Sequence, residues 1–484
     1  MATKRKVKRI SSHFKLDGDQ STFEFVDVAL NSDSPFFLDP RAFRALRSDW
    51  GELCVSLLQS FFDAVISRIQ SGDHAGARQL LGSLSEPNET HLGLSKGKPA
   101  GRGMGRGLAE DMWEALSTSD AAATGLLQDL EDTVLFIDGI GHDRISDITT
   151  NIVRQPLIEF TRDAAAYYGI PLAKDVASAR CWNSSLQRWE VGYVDLPKVK
   201  TGPLILVPKC LVRRRPTFDP GEYLDHHILP ILQEEELQAA SSLVEVLKDG
   251  RRRVTKNAIK AKYGRSKKVA REVTTKHPDA LNRYRSQSAT RRQPPSHREL
   301  ADILDIEPPD WDRLLAAVLA TSSGKAHADT YHRAVQALLS ALLYPSLVNP
   351  VREFPIHDGR KRIDITFTNE AQQGFFAWVN DKVVPAPYVF VECKNYGTEI
   401  ANPELDQIAG RFSPQRGQLG IVCCRMFKDR QLWAQRCKDT ANDRRGFILT
   451  LSDEDLTTLV EERKTTATLW EYRLLRAHLD ALVM

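Results

Sequence analysis

Two short runs bring together residue types able to hold a divalent cation and handle an attacking water: Arg362-Ile363-Asp364-Ile365 and Val389-Phe390-Val391-Glu392-Cys393-Lys394. The two-residue period of a strand puts Ile363, Ile365 and Phe367 on one face and Asp364 with Thr366 on the other. The same period places Glu392 and Lys394 together, beyond the apolar Tyr388 and Phe390. A short hairpin or meander joining the runs would carry two carboxylates and one ammonium to a common edge. Such a set suits a hard divalent cation held by oxygens, with a lysine beside it to handle an attacking water. The alternative is that Glu392 and Lys394 pair with each other at the surface, a contact worth little. That alternative leaves unexplained why Glu392 sits inside the otherwise apolar run from Tyr388 to Cys393, with Lys394 directly after it.

The flanking pattern supplies elements to position these groups. A helical run over Tyr331–Leu343 precedes an extended stretch, Val348–Ile356, that leads into the Asp364 strand. After Lys394, Asn402 is placed to cap a helix with Pro403 at its first position. On that helix Leu405, Ile408 and Phe412 form an apolar stripe, and Glu404, Gln407 and Arg411 share the polar face. A strand (Leu419–Cys424), a helix (Asp429–Ala441) and a strand (Phe447–Leu451) follow, and Ser452-x-x-Asp455 opens a closing helix with a capping pattern.

Over residues 320–484 the chain resembles the PD-(D/E)xK nucleases of the restriction-endonuclease-like superfamily, most closely the branch related to Mrr-type restriction enzymes. The resemblance implies an α/β fold with an αβββαβ core and a metal-dependent endonuclease activity. It implies that Asp364 and Glu392 hold Mg²⁺, with Mn²⁺ able to substitute and the Cys393 backbone carbonyl contributing an oxygen. Lys394 would then be the catalytic lysine, and Gln407 and Arg411 would position the phosphate. The chain departs from the family where relatives carry a glutamate on the first helix, because the alignment puts His332 there. His332 can ligate a metal or bind a phosphate, or serve as a hydrogen-bonded structural residue. Glu353, on the strand before Asp364, is a second candidate acid or an ordinary solvated strand residue. The family setting implies a bacterial restriction or anti-phage role on nucleic acid (DNA foremost, RNA left open), as a homodimer or with a partner defence protein. Two other readings stay open: a repair or recombination nuclease, and a nucleic-acid-binding protein whose nuclease-like domain is inactive.

At 484 residues the chain has room for two or three domains. The expected division is a mixed α/β N-terminal domain (1–248) with a sensing or specificity role, a basic segment (249–300), and the nuclease-like domain (301–484). No apolar run approaches the ~20 residues needed to span a bilayer, and the basic start, Met1 to Arg9, lacks the apolar core of a secretory signal. Seven cysteines form no C-x-x-C pair, which disfavours zinc and disulfide frameworks and fits a reducing cytoplasm. From Arg251 to Arg292 fifteen Lys or Arg face two acids, so this segment is +13 while the rest of the chain, against a total of +3, is −10. Arg251, Arg252, Arg253, Lys256, Lys260, Lys262, Arg265, Lys267, Lys268 and Arg271 are therefore candidate nucleic-acid contacts. The competing reading is a passive linker, with some helix up to Tyr284.

The N-terminal part reads as strands over Phe23–Leu30, Pro35–Leu38, Trp189–Val194 and Pro203–Val207. Its helices are expected over Glu52–Gln70, Leu108–Leu116, Ile152–Tyr168 and Ile228–Lys248. Two loops remain. The glycine-rich Gly93–Gly107 stretch matches no nucleotide fingerprint, and Phe136–Asp143 is either a tight turn with capping aspartates or a second metal site.

Overall fold

The computed structural model describes residues 7–93, 112–117, 127–291, 293–356, 361–398, 402–465 and 471–483. The basic residues Lys4, Arg5 and Lys6, the glycine-rich stretch after Gly93, and residues 108–111 of an expected helix lie outside these. The chain is mixed α/β and divides into two compact units. One comprises Met1–Leu16, Val28–Ala45 and Asp49–Pro294; the other comprises Asp17–Asp27, Leu46–Ser48 and Pro295–Met484.

The second unit is built on a five-stranded sheet. Helix α1 (Ala328–Leu342) precedes strands β1 (Leu347–Ile356) and β2 (Lys361–Asn369), helix α2 (Gly374–Lys382) and strand β3 (Tyr388–Lys394). Helix α3 (Asn402–Ala409), strand β4 (Leu419–Cys424), helix α4 (Arg430–Asn442), strand β5 (Phe447–Leu451) and helix α5 (Asp453–Thr465) follow. The strands lie in the order β1-β2-β3-β4-β5. The first three pair antiparallel, with Ile365 opposite Val391 and Phe367 opposite Val389, and the last three pair parallel, with Val391 opposite Ile421 opposite Leu449. Parallel neighbours need a crossover, which α3 and α4 provide.

The local reasons are visible in the residues. All six residues of β4 are buried, as expected for a strand covered on both faces. Tyr331, Val335, Leu338, Leu339 and Leu342 recur at helical spacing on α1 and pack into the same core as Ile365, Phe367, Val389 and Val391. Gly420 lets α3 lie close to the sheet: a Cβ there would come within 2.6 Å of Ile408 and 2.9 Å of Phe412. The expected direct hairpin or meander between the two motif strands is corrected by α2, which intervenes. Phe375, Phe376 and Val379 are buried there, and apolar runs of that length do not distinguish helix from strand by period alone.

In the first unit the helices Asp49–Gln70 and Arg154–Tyr168 form where expected. Its strands are short, such as Phe37–Leu38 paired with Val212–Arg213. Phe61, Trp182 and Trp189 meet with ring centroids 5.1–5.5 Å apart.

Three expectations fail. Phe23–Leu30 forms no strand: Ala29 keeps an isolated antiparallel bridge to Arg9, while Gln20 donates to the Phe25 carbonyl (2.8 Å) and accepts from the Asp27 amide (2.7 Å). Pro203–Val207 keeps strand pairing only at Gly202–Pro203. The helix expected to reach Lys248 ends at Gln238, because Ala240 turns left-handed (φ 47°) and the Ser241 hydroxyl takes the Leu243 amide.

The basic stretch folds as three helices, Lys256–Tyr263, Lys267–Lys276 and Asp279–Arg291, the first two capped by Thr255 and Ser266. Ile259, Ala270, Val273, Leu281 and Tyr284 are buried. Residues 249–294 thus belong to the first unit rather than standing apart as a linker. Among the described residues no helix is long and apolar enough to cross a membrane.

Candidate active site

Asp364 on β2 and Glu392, Cys393 and Lys394 on β3 come together at the sheet. Asp364 Oδ2 accepts from the Cys393 amide at 2.9 Å, which fixes the carboxylate beside the acid-x-lysine triplet. Lys394 Nζ donates to Glu392 Oε2 at 3.4 Å and to Gln407 Oε1, on α3, at 3.2 Å. Their shared face follows from the strand period, and the glutamine reaches them because Gly420 seats α3 against the sheet.

Glu392 is wholly buried, and an isolated carboxylate there would be costly. Its countercharges are Lys394 and Arg411, the latter in the turn that follows α3. The Arg411 guanidinium makes an ion pair with Glu392 Oε1, and both side chains are buried, 6 % and 1 % exposed. Burial lowers the Arg411 pKa, and the nearby Asp364 carboxylate opposes that shift. One guanidinium therefore feels both acids. It is held there by its neighbour, because Phe412 stacks on Phe390 of β3 at 6.0 Å and 22°. The expectation of Arg411 on a polar, phosphate-facing helix surface is corrected: it lies past the end of α3 and is buried.

His332, on α1, reaches the same place. Its Nε2 lies 3.0 Å from the Cys393 carbonyl oxygen and 3.9 Å from Asp364 Oδ2. A ring nitrogen donating to a carbonyl is protonated at that atom, so His332 acts here as a hydrogen-bonded residue on the carbonyl that the family resemblance would give to a metal. Ligand atoms of His332, Asp364 and Cys393 all lie within 4.8 Å of one another. Burial pushes the Cys393 thiol well up, with the Cys423 thiol across the sheet next in effect, so it is no ready thiolate ligand. Glu353 is not brought in: its carboxylate pairs with Arg362 at 2.7 Å, both exposed, and the residue adopts φ 49° in β1. One positioning residue had escaped the sequence reading. Asn395, buried next to Lys394, donates to the Ser322 (2.9 Å) and Gly324 (3.2 Å) carbonyls and so pins the end of β3 to the loop before α1. Its only signal was adjacency to the triplet.

The donor set fits a hard cation. Asp364 and Glu392 offer carboxylate oxygens and Cys393 a main-chain oxygen. Glu392 Oε1 is a buried oxygen with no hydrogen bond of normal geometry, meeting Arg411 only as an ion pair.

Elsewhere, the possible second metal site at Phe136–Asp143 already holds a cation of the chain. Lys267 Nζ donates to the Ile137 (2.8 Å) and Ile140 (2.7 Å) carbonyls, and burial brings its pKa down to about 8. His142 bonds the Phe218 carbonyl at 2.7 Å. The basic segment is also largely committed. Lys260 and Arg265 face Asp225, Lys262 faces Glu236, Lys268 faces Glu272, and Arg251 and Arg253 face Asp249 and Glu245. Lys256 donates to the Asp225 carbonyl. Asp225, Glu236, Asp249 and Glu245 all lie before Arg251 in the chain, so a charge count over Arg251–Arg292 alone misses this pairing.

Residues 15–219 match a family described as a domain of unknown function (DUF8370). That match lies outside the sheet that carries Asp364 and Glu392. No curated protein and no solved structure matches the chain.

Proposed function

We propose that the chain is a metal-dependent nuclease whose catalytic unit has the restriction-endonuclease-like fold. The observation that carries this reading is the meeting of Asp364, Glu392, Lys394 and Gln407 at one place, within a sheet that runs antiparallel then parallel with α1 before it and α3 after β3. The order α1-β1-β2-β3-α3-β4 agrees with that fold, with α2 an insertion.

Asp364, Glu392 and the Cys393 carbonyl would hold Mg²⁺, which would supply Lewis acidity toward the scissile phosphate. Lys394, steered by Gln407, orients the attacking water and balances charge on the phosphate as it builds up. Asn395 keeps the end of β3 from drifting, since small displacements of a reacting group are costly. The substrate is nucleic acid, with DNA first and RNA the alternative, and the role suggested by the resemblance is restriction or defence against phage. The first unit would gate or direct that activity.

The test is incubation of the purified chain with plasmid, phage DNA and RNA, with Mg²⁺, Mn²⁺, Ca²⁺ or chelator, beside Asp364→Asn and Lys394→Met. Cleavage with Mg²⁺ or Mn²⁺ that either substitution abolishes supports the reading. Cleavage that survives chelator, or that both variants retain, refutes it.

A further inference from the structure

Four charges share the site: carboxylates from Asp364 and Glu392, an ammonium from Lys394 and a guanidinium from Arg411. They sum to zero. Glu392 cannot find solvent, being wholly buried, and its Oε1 side is taken by Arg411. A divalent cation at Glu392 has to take over that contact. If the guanidinium stayed, the site would carry two uncompensated positive charges in a buried setting, where charge imbalance is costly. The guanidinium therefore moves away or meets a new anion. The anion brought by the reaction is a phosphodiester, and a planar guanidinium binds phosphate oxygens in pairs.

Resting on the nuclease reading above, we propose that Arg411 is an exchange cation. It neutralises Glu392 until nucleic acid arrives, then transfers to the phosphate and leaves the carboxylate to the divalent ion. Metal and nucleic acid thereby bind with positive coupling, and by linkage each raises the affinity of the other by the same factor. The geometry suits an exchange over a short distance. Phe412, stacked on Phe390, anchors the backbone beside Arg411 to the strand that carries Glu392. Arg416 Nη2 donates to the Arg411 carbonyl at 3.2 Å and the Arg411 amide donates to the Ile408 carbonyl at 3.0 Å, so the main chain is held on both sides and the exchange falls to the guanidinium alone. This role differs from simple phosphate positioning, because it makes Arg411 an antagonist of the metal when no nucleic acid is bound.

The test is calorimetric titration of the full chain with Ca²⁺, with and without a DNA duplex. The proteins are the wild type, Arg411→Gln, Arg411→Lys and Glu392→Gln. Without DNA, Arg411→Gln should bind Ca²⁺ about tenfold more tightly than the wild type and show a larger Ca²⁺-induced rise in unfolding temperature. The thermal readout also reports that the variant is folded. Arg411→Lys keeps the charge and should stay near the wild type, and Glu392→Gln should lose most of the Ca²⁺ binding. Added duplex should tighten Ca²⁺ binding to the wild type about tenfold and to Arg411→Gln by less than about threefold. Equal or weaker Ca²⁺ binding by Arg411→Gln, with Glu392→Gln still defective, overturns the exchange role and leaves the metal reading standing. If none of the four proteins binds Ca²⁺ or Mn²⁺, the metal reading fails and the exchange role falls with it.

Discussion

Replacing Arg411 by leucine should destabilise the second unit far more than replacing Arg411 and Glu392 together. The Glu392 side chain is 1 % exposed and that of Arg411 6 %, so neither charge can turn to water when its partner is removed. Stranding one member of a buried pair costs about 3–5 kcal/mol, whereas exchanging both for apolar residues of similar volume is often neutral. Lys394, 3.4 Å from Glu392 Oε2, softens the loss and favours the lower end of that range. For a unit of this size about 2–4 °C of melting temperature goes with each kcal/mol, so Arg411→Leu should melt roughly 6–12 °C lower. Glu392→Leu should fall similarly, because it strands the guanidinium. The double variant should recover to within about 2 °C of the wild type, giving a coupling of about 5–6 kcal/mol, the sum of the two single losses less the small loss of the double. Thermal unfolding of the four proteins followed by circular dichroism measures this. Additive losses, or an Arg411→Leu shift under about 2 °C, would show that the two charges do not neutralise each other in the fold.

Three further outcomes are expected. Gly420→Ala places a methyl against Ile408 and Phe412 and should lift α3, lowering cleavage at least tenfold with a smaller loss of stability; unchanged cleavage in a plasmid assay would separate α3 packing from activity. Burial first, then Asp143, Glu86 and Asp33, raises the Asp147 pKa from 3.8 to about 8. A folded pKa above the unfolded one gives stability that is complete below about pH 4 and lost as pH rises through about 8. Asp147→Asn should therefore gain melting temperature relative to the wild type between pH 5 and pH 9, and a constant difference across that range would contradict the shift. Finally, if Arg251, Arg252, Arg253 and Lys268 all met phosphates, changing them to glutamine would flatten the log K against log salt slope by about 3.6. Three of the four already face acids, so filter-binding titrations should show a change below about 2.

Along the chain, the order of elements in the second unit could be read because each depends on local pattern. The six-residue apolar run of β4, the helical spacing of Tyr331, Val335, Leu338 and Leu339, and the two-residue period through Glu392 and Lys394 all act within a few positions. The convergence of Asp364, Glu392, Lys394 and Gln407, on which the proposed nuclease reading rests, was legible for the same reason: charged residues at the end of an apolar strand are conspicuous, and the strand period turns them to one face. Helix α2 was not legible, since its aromatic run suits either structure. The strand expected at Phe23–Leu30 shrinks to isolated bridging, such as that of Ala29 to Arg9, because the Gln20 side chain takes the Phe25 carbonyl and the Asp27 amide.

What each charge is paired with belongs to the tertiary structure. Glu353 reads as a candidate acid until its carboxylate is found against Arg362, and the +13 segment reads as free charge until Asp225 and Glu236 are found facing it. Arg411 shows the same limit most clearly, because its spacing from Gln407 suggested a solvent-facing helix surface, whereas the turn after α3 delivers it to a buried carboxylate nineteen positions earlier. Local sequence determines which groups exist and which way an element turns them. Coulomb energy and desolvation depend on distance and burial, and these are set only when segments far apart in the chain pack together.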